Sequence, residues 1–132
     1  MLQASGDVSD LKRLYPALRA HIAFATAATS NTSGGLLAFG YYGDWNAAAG
    51  ASTRFVENTY YLLGLQHAAV VASAVGESED ATTFAAHAIL VSEAMAAQLF
   101  NAADGVWDNG GANAQVGVLD CIRVDKTAFC RD

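Results

Sequence analysis

From Thr53 to Leu99 the sequence permits little other than two helices with almost nothing between them. The stretch holds no proline, and its clearest punctuation is Gly76, which suits the C′ position because glycine enters the left-handed backbone region without a steric penalty. The spacing predicts a helix over residues 53–75, with Thr53 as its cap and Val56, Tyr60, Leu63, His67, Val70 and Ala74 on one face. A second helix starts after Gly76 with Ser78 as its cap, and Phe84, Ala88, Val91, Met95 and Leu99 form its stripe. Glu77, Glu79 and Asp80 stand where the positive pole of that helix favours carboxylates. So short a connection makes the pair an antiparallel hairpin.

The flanks extend this pattern. Val8, Leu11, Leu14, Tyr15, Leu18 and Ile22 recur at three- and four-residue steps and predict a helix over residues 7–28, capped by Asp7 or Ser9. Pro16 interrupts it, because proline lacks an N–H and its ring clashes with the preceding turn. Either the helix kinks there, or it begins at Pro16 after a lead-in turn. Residues 29–35 are rich in Ser, Thr, Asn and Gly and end the helix. The following residues, to position 53, show glycines and aromatics without a helical stripe, a long irregular loop of the kind that often carries function. Beyond the hairpin, residues 104–111 read as a turn, a short extended piece and another turn. A further helix is predicted over 112–122, and residues 123–132 show no period. The fold class is all-α.

Composition removes several functions. With 53% hydrophobic residues the chain can bury a core. A net charge of -6, with only seven Lys and Arg scattered along the chain, argues against a nucleic-acid partner and offers no basic face to a membrane. No stretch reaches the ~20 apolar residues of a membrane span. Residues 1–7 lack the basic and apolar regions of a signal peptide. Cys121 and Cys130 lack the spacing of a zinc site, and two free thiols are expected, with a disulfide as the alternative. His21, His67 and His87 have no ligand spacing, so no metal or other cofactor is expected. No Gly-x-Ser-x-Gly elbow or phosphate-binding loop is present.

The run Leu36-Leu37-Ala38-Phe39-Gly40-Tyr41-Tyr42-Gly43-Asp44-Trp45 carries a resemblance. It is similar to the Gly-Asp-Trp loop of bacterial α-L-rhamnosidases, inverting glycoside hydrolases of the six-hairpin type. The order of the surrounding segments resembles that family too. Leu14-Tyr15-Pro16-Ala17-Leu18 precedes the loop; Asn58-Thr59-Tyr60-Tyr61 and Ala72-Ser73-Ala74-Val75-Gly76 follow it. Phe84, Leu99-Phe100-Asn101 and Ala114-Gln115 continue the likeness, which covers roughly residues 7–120.

The resemblance implies antiparallel helical hairpins forming about a third of an (α/α)6 barrel, hence an internal segment of a larger catalytic domain. It implies a terminal α-L-rhamnoside as the carbohydrate substrate. In such enzymes one carboxylic acid protonates the leaving oxygen while an opposing carboxylate, roughly 6.5–9.5 Å away, activates water. The family carries its acid upstream and its base downstream of this segment, so no catalytic residue is assigned here and the chain alone is expected to be inactive.

Two residues are the candidate substrate-binding pair. Trp45 offers a rigid apolar plane for a sugar ring and an indole N–H for a hydroxyl, or else it is a core anchor. Asp44 accepts hydrogen bonds from sugar hydroxyls, or else bonds its own backbone in a turn. Tyr41 and Tyr42 are expected to pack beneath the loop. Asp104, Trp107 and Asp108 form a second loop cluster, read first as hairpin turn residues, and Glu57 is a solvated partner of a helix dipole. Two other functions fit the same residues: a non-catalytic helical module that self-associates through uncovered helix faces, and an (α/α)6 enzyme acting on a different sugar.

Overall fold

A computed structural model describes residues 7–30, 34–38 and 50–110, and all structural statements concern these. They form three helices and a two-stranded hairpin: α1 (Ser9–Ser30), α2 (Thr53–Val75), α3 (Ser78–Leu99), β1 (Phe100–Asn101) and β2 (Val106–Trp107). The helical hairpin predicted from the sequence is present, and the all-α class holds. The helix predicted over 112–122 and both cysteines lie outside the described residues.

α1 neither starts nor stops at Pro16. It begins at Ser9, where the Asp7 carboxylate accepts the Ser9 N–H at 2.9 Å, and it runs through the proline to Ser30. That backbone contact holds the exposed Asp7 carboxyl below the usual range. Tyr15 and Ile22, buried on either side of Pro16, keep one face against α2 and α3, and this packing outweighs the lost backbone bond.

The cap of α2 is Ser52 rather than Thr53: the Ser52 hydroxyl accepts the Phe55 N–H at 3.2 Å. Gly76 ends the helix at φ 95°, as the sequence predicts. The Gly76 N–H reaches the Ser73 carbonyl at 3.2 Å and the Glu77 N–H reaches that of Ala72 at 2.8 Å, the two bonds of a Schellman closure. Ser78 does not cap α3. It is the first helical residue, Glu77 takes the cap position without a side-chain bond, and the Ser78 carbonyl accepts the Thr82 hydroxyl instead.

The core lies where α2 meets its neighbours. α3 contributes Phe84, Ala88, Val91 and Met95, four of the five stripe residues predicted for it; Leu99 packs at the edge. α2 departs from prediction. Its core face is Phe55, Asn58, Tyr61, Leu62, Leu65, Ala68, Ala69 and Ala72. The predicted row of Val56, Tyr60, Leu63, His67, Val70 and Ala74 lies beside it; Tyr60 is 71% exposed and Val70 49%. α2 is apolar on two faces, and periodicity alone does not say which is covered.

Candidate functional site

α1 and α3 run in one direction and α2 in the other, so the structure has two ends. One end holds the Gly76 turn. The other gathers the end of α1, the start of α2, the end of α3 and the β-hairpin, and there residues 39–49 leave and rejoin the described chain. Asp44 and Trp45, with Tyr41 and Tyr42, lie outside the described residues. The described residues on either side of positions 39–49 are each held by side chains.

The outgoing root is held at Leu37. Asn58, in the second turn of α2 and wholly buried, accepts the Leu37 N–H at 2.8 Å and donates its amide to the Leu37 carbonyl at 3.0 Å. A second N–H of the same amide reaches the Arg54 carbonyl at 2.7 Å. An asparagine side chain has the donor and acceptor disposition of a peptide unit, so it pairs with an extended backbone as a neighbouring strand would. Further out, the Gln98 amide donates to the Gly34 carbonyl at 2.8 Å, and the Arg54 guanidinium donates to Gln98 Oε1. Gly34 adopts φ 105°, a backbone region that residues with a Cβ rarely enter, and a Cβ there would also push the Gln98 amide aside.

The returning root is held by the β-hairpin. Phe100 pairs with Trp107 and Asn101 with Val106, and the Asp104 carboxylate closes the turn by accepting the Asn101 amide at 2.6 Å. The turn, extended piece and second turn predicted for residues 104–111 thus appear as far as residue 110; the Phe100–Asn101 partner strand was not foreseen. Trp107 lies against Phe100 and Phe55, with ring centroids 5.0 and 6.4 Å apart, which fixes the hairpin to the start of α2. This presents Asp108 to Ser52. One carboxylate oxygen accepts the Ser52 N–H and the other accepts its hydroxyl, both at 2.6 Å. The Asn109 amide donates to the Gly50 carbonyl at 2.6 Å. A carboxylate at a helix start also opposes the positive pole there.

The second loop cluster therefore sits at the end of the helical layer where Gly50 and Ser52 enter α2, and its three members all act structurally. Sequence reasoning missed Asn58, Gln98 and Asn109. The only signal for Asn58 was a polar residue recurring in step with Phe55, Leu62 and Leu65. Glu57 is half-buried one residue away on α2.

Two polar clusters lie elsewhere. Near the Gly76 end, the Tyr15 hydroxyl donates to Asp80 at 2.6 Å and Arg19 Nε approaches the same carboxylate at 2.8 Å. Burial, then the Asp80 contact, push the Tyr15 phenol up to about 12; the Tyr15 hydrogen bond in turn holds the Asp80 carboxyl below its ordinary range. Between the two ends, Thr26 and Tyr61 share a hydrogen bond at 3.1 Å, and the His87 ring stands between them at 3.4 and 3.5 Å. Burial lowers the His87 pKa and favours the neutral ring. His21 and His67 are exposed. Among the described residues no three His, Cys, Asp or Glu side chains group to hold a metal, and no helix is long and apolar enough to cross a membrane.

The family model described as the bacterial alpha-L-rhamnosidase 6 hairpin glycosidase domain matches residues 1–127. Neither the curated proteins nor the solved structures returned a match. The matched range includes Leu37, Gly50, the residues between them and the helical hairpin. The chain belongs to the bacterial α-L-rhamnosidase six-hairpin glycosidase family.

Proposed function

We propose that this protein is part of a glycoside hydrolase catalytic domain that releases terminal α-L-rhamnose, and that Asp44 and Trp45 bind the sugar. The family match over residues 1–127 carries the reading, because it includes the Gly43-Asp44-Trp45 loop. The clamped roots support it: a loop fixed at both ends by buried and charge-assisted hydrogen bonds can present a stacking plane and a carboxylate in reproducible positions. Proton transfer belongs to carboxylates outside these 132 residues, so the chain by itself binds sugar without hydrolysing it.

Hydrolysis of an aryl α-L-rhamnoside, read beside an aryl glucoside, tests the activity. No turnover is expected from the chain alone, and robust release of the aryl group would refute that part. Titration with L-rhamnose tests the binding pair: Trp45→Ala and Asp44→Ala should each abolish a response that the parent chain shows. A parent that prefers glucose would instead favour an (α/α)6 enzyme of another sugar class.

One observation favours a second reading, a non-catalytic module that self-associates. Tyr60 and Val70 are exposed on the second apolar row of α2, where the described elements leave them uncovered. Sedimentation decides: a concentration-dependent dimer that Val70→Asp dissolves supports this reading, and a monomer at all concentrations removes it.

A further inference from the structure

We infer that His87 is a pH-sensitive latch for α1: the neutral ring joins α1 to the α2–α3 hairpin, and a proton on that ring in mild acid lets α1 open while the hairpin stays folded. Such a device goes beyond the sugar reading and does not depend on it. Two features of the fold support it, the chemistry of the joint and the slight burial of α1.

At the joint all three helices meet through polar side chains. Thr26 of α1 and Tyr61 of α2 share a hydrogen bond at 3.1 Å, and His87 of α3 brings Nδ1 to 3.4 Å from the first hydroxyl and Nε2 to 3.5 Å from the second. The Tyr61 and His87 rings stand perpendicular, with centroids 5.8 Å apart. A neutral imidazole suits these neighbours, since one nitrogen donates, the other accepts and a hydroxyl does either. Both contacts of the ring are long, so the joint is weak enough to open. A charged ring is poorly placed in this half-buried site, because among the described residues no carboxylate hydrogen-bonds it. α1 carries no charged side chain within a turn of Thr26, and α2 offers Tyr61 with Glu57 one turn before it. On α3, Glu93 is exposed and Asp80 already holds Tyr15 and Arg19, each roughly two turns from His87. Burial therefore governs the ring and holds its pKa below the ordinary histidine value.

α1 is the element that such a charge can release. Its buried apolar side chains are Tyr15, Ile22 and Ala25, whereas α2 and α3 share a seam that runs from Phe55 and Met95 to Ala72 and Phe84. Elements with little buried apolar surface open before the rest of a fold. α1 is fastened to α3 at Asp80 near the Gly76 end and at His87 further along, so loss of the second contact leaves the latter half of α1 held mainly by Ile22 and Ala25. Once α1 swings away the ring stands in water, and the open state takes up the proton that the closed state resists.

The test uses the isotope-labelled 132-residue chain between pH 7 and pH 5. Amide protection, corrected for the intrinsic exchange rate at each pH, is read at Ile22 for α1 and at Leu65 for the hairpin. Ile22 should be less protected than Leu65 throughout, the mark of α1 opening by itself, and its protection should fall roughly threefold across the interval. The His87 ring, followed by its own resonances, should titrate at a lower pH in the folded chain than in urea. The Asp80 carboxyl is held below its ordinary range and does not titrate in this interval. His87→Gln keeps a polar group that takes up no proton, so its Ile22 protection should be the same at both ends of the interval. Equal protection at Ile22 and Leu65 overturns the latch, because α1 then opens only with the whole fold. A ring that titrates no lower in the fold than in urea overturns it, as does a fall at Ile22 that survives His87→Gln. Should that variant fail to fold, the ring titration and the Ile22–Leu65 contrast in the parent chain decide without it.

Discussion

The two ends of the helical layer are held together by different chemistry. At the Gly76 end, side chain meets side chain: Tyr15 and Arg19 of α1 converge on Asp80 of α3, and the chain reverses through a turn that backbone bonds alone complete. At the loop end, side chain meets backbone: Asn58 takes Leu37, Gln98 takes Gly34 and Asn109 takes Gly50, while Asp108 takes the N–H and the hydroxyl of Ser52. A side-chain pair fixes how helices pack against each other. A side chain bonded to backbone fixes the path of a segment that has no helix of its own. The loop end relies on the second device at Leu37, Gly34 and Gly50, the described residues on either side of positions 39–49.

Breaking the loop end at its buried point should have the largest effect. Asn58→Ala leaves the Leu37 N–H and carbonyl without their partner in a buried setting, and urea unfolding should show a loss of about 3 kcal/mol. A loss under about 1 kcal/mol would mean that Leu37 finds other partners, and the contrast between the ends would shrink. Tyr15→Phe breaks the opposite end more mildly, by about 1–2 kcal/mol, since the ring stays packed and only the bond to a carboxylate is lost. It also sharpens the comparison through pH. The Tyr15 phenol is raised in the fold, so its contribution is complete below its unfolded value of about 10 and disappears as pH rises through about 12. Denaturation midpoints across that range should fall in the parent and lose this decline in Tyr15→Phe.

His87, between the ends, gives a smaller effect of opposite sense. Burial depresses its pKa, so below about 6.5 the unfolded chain takes up a proton that the folded ring resists, and stability falls as pH drops through that window. His87→Gln keeps a hydrogen-bonding group beside Thr26 and Tyr61, and the midpoint should then be level from pH 7 to pH 5. The smallest effect belongs to Arg19→Gln. Arg19 is exposed, so the ion pair is screened, and added salt should erase whatever difference in melting temperature it makes. An effect of Arg19→Gln larger than that of Tyr15→Phe would reverse the assignment of which contact holds the Gly76 end.

The elements whose local chemistry agrees with their surroundings were readable in advance. α3 is one: a single stripe from Phe84 to Met95 is the face that packs. The Gly76 turn is another, because its backbone demands what only glycine readily supplies. α2 was read one row out, since Val56, Tyr60 and Leu63 form as good a period as Phe55, Leu62 and Leu65, and Asn58 interrupts the row that is buried. Its cap fell one residue early for a related reason: Ser52 and Thr53 are both capping residues, and the choice is made by Asp108, which lies 56 positions away. For the candidate site, the loop and the Asp104–Asp108 cluster stood out by composition, and the family match then added the likeness of the whole. The clamps did not stand out. Asn58 and Gln98 bond backbone carbonyls and N–H groups 21 and 64 positions away, and every residue carries such groups, so no side-chain identity at the far end marks the partner.

The Gly76 closure also bears on the order in which the molecule assembles. Joining α2 to α3 through so tight a reversal asks for the least loss of chain entropy of any helix pairing here, whereas bringing α1 onto α2 requires closing the far longer stretch between Ser30 and Thr53. Contacts close in sequence form soonest, so the α2–α3 hairpin is the natural nucleus, and the polar clamps at the far end tighten only once α1 and the loop have arrived.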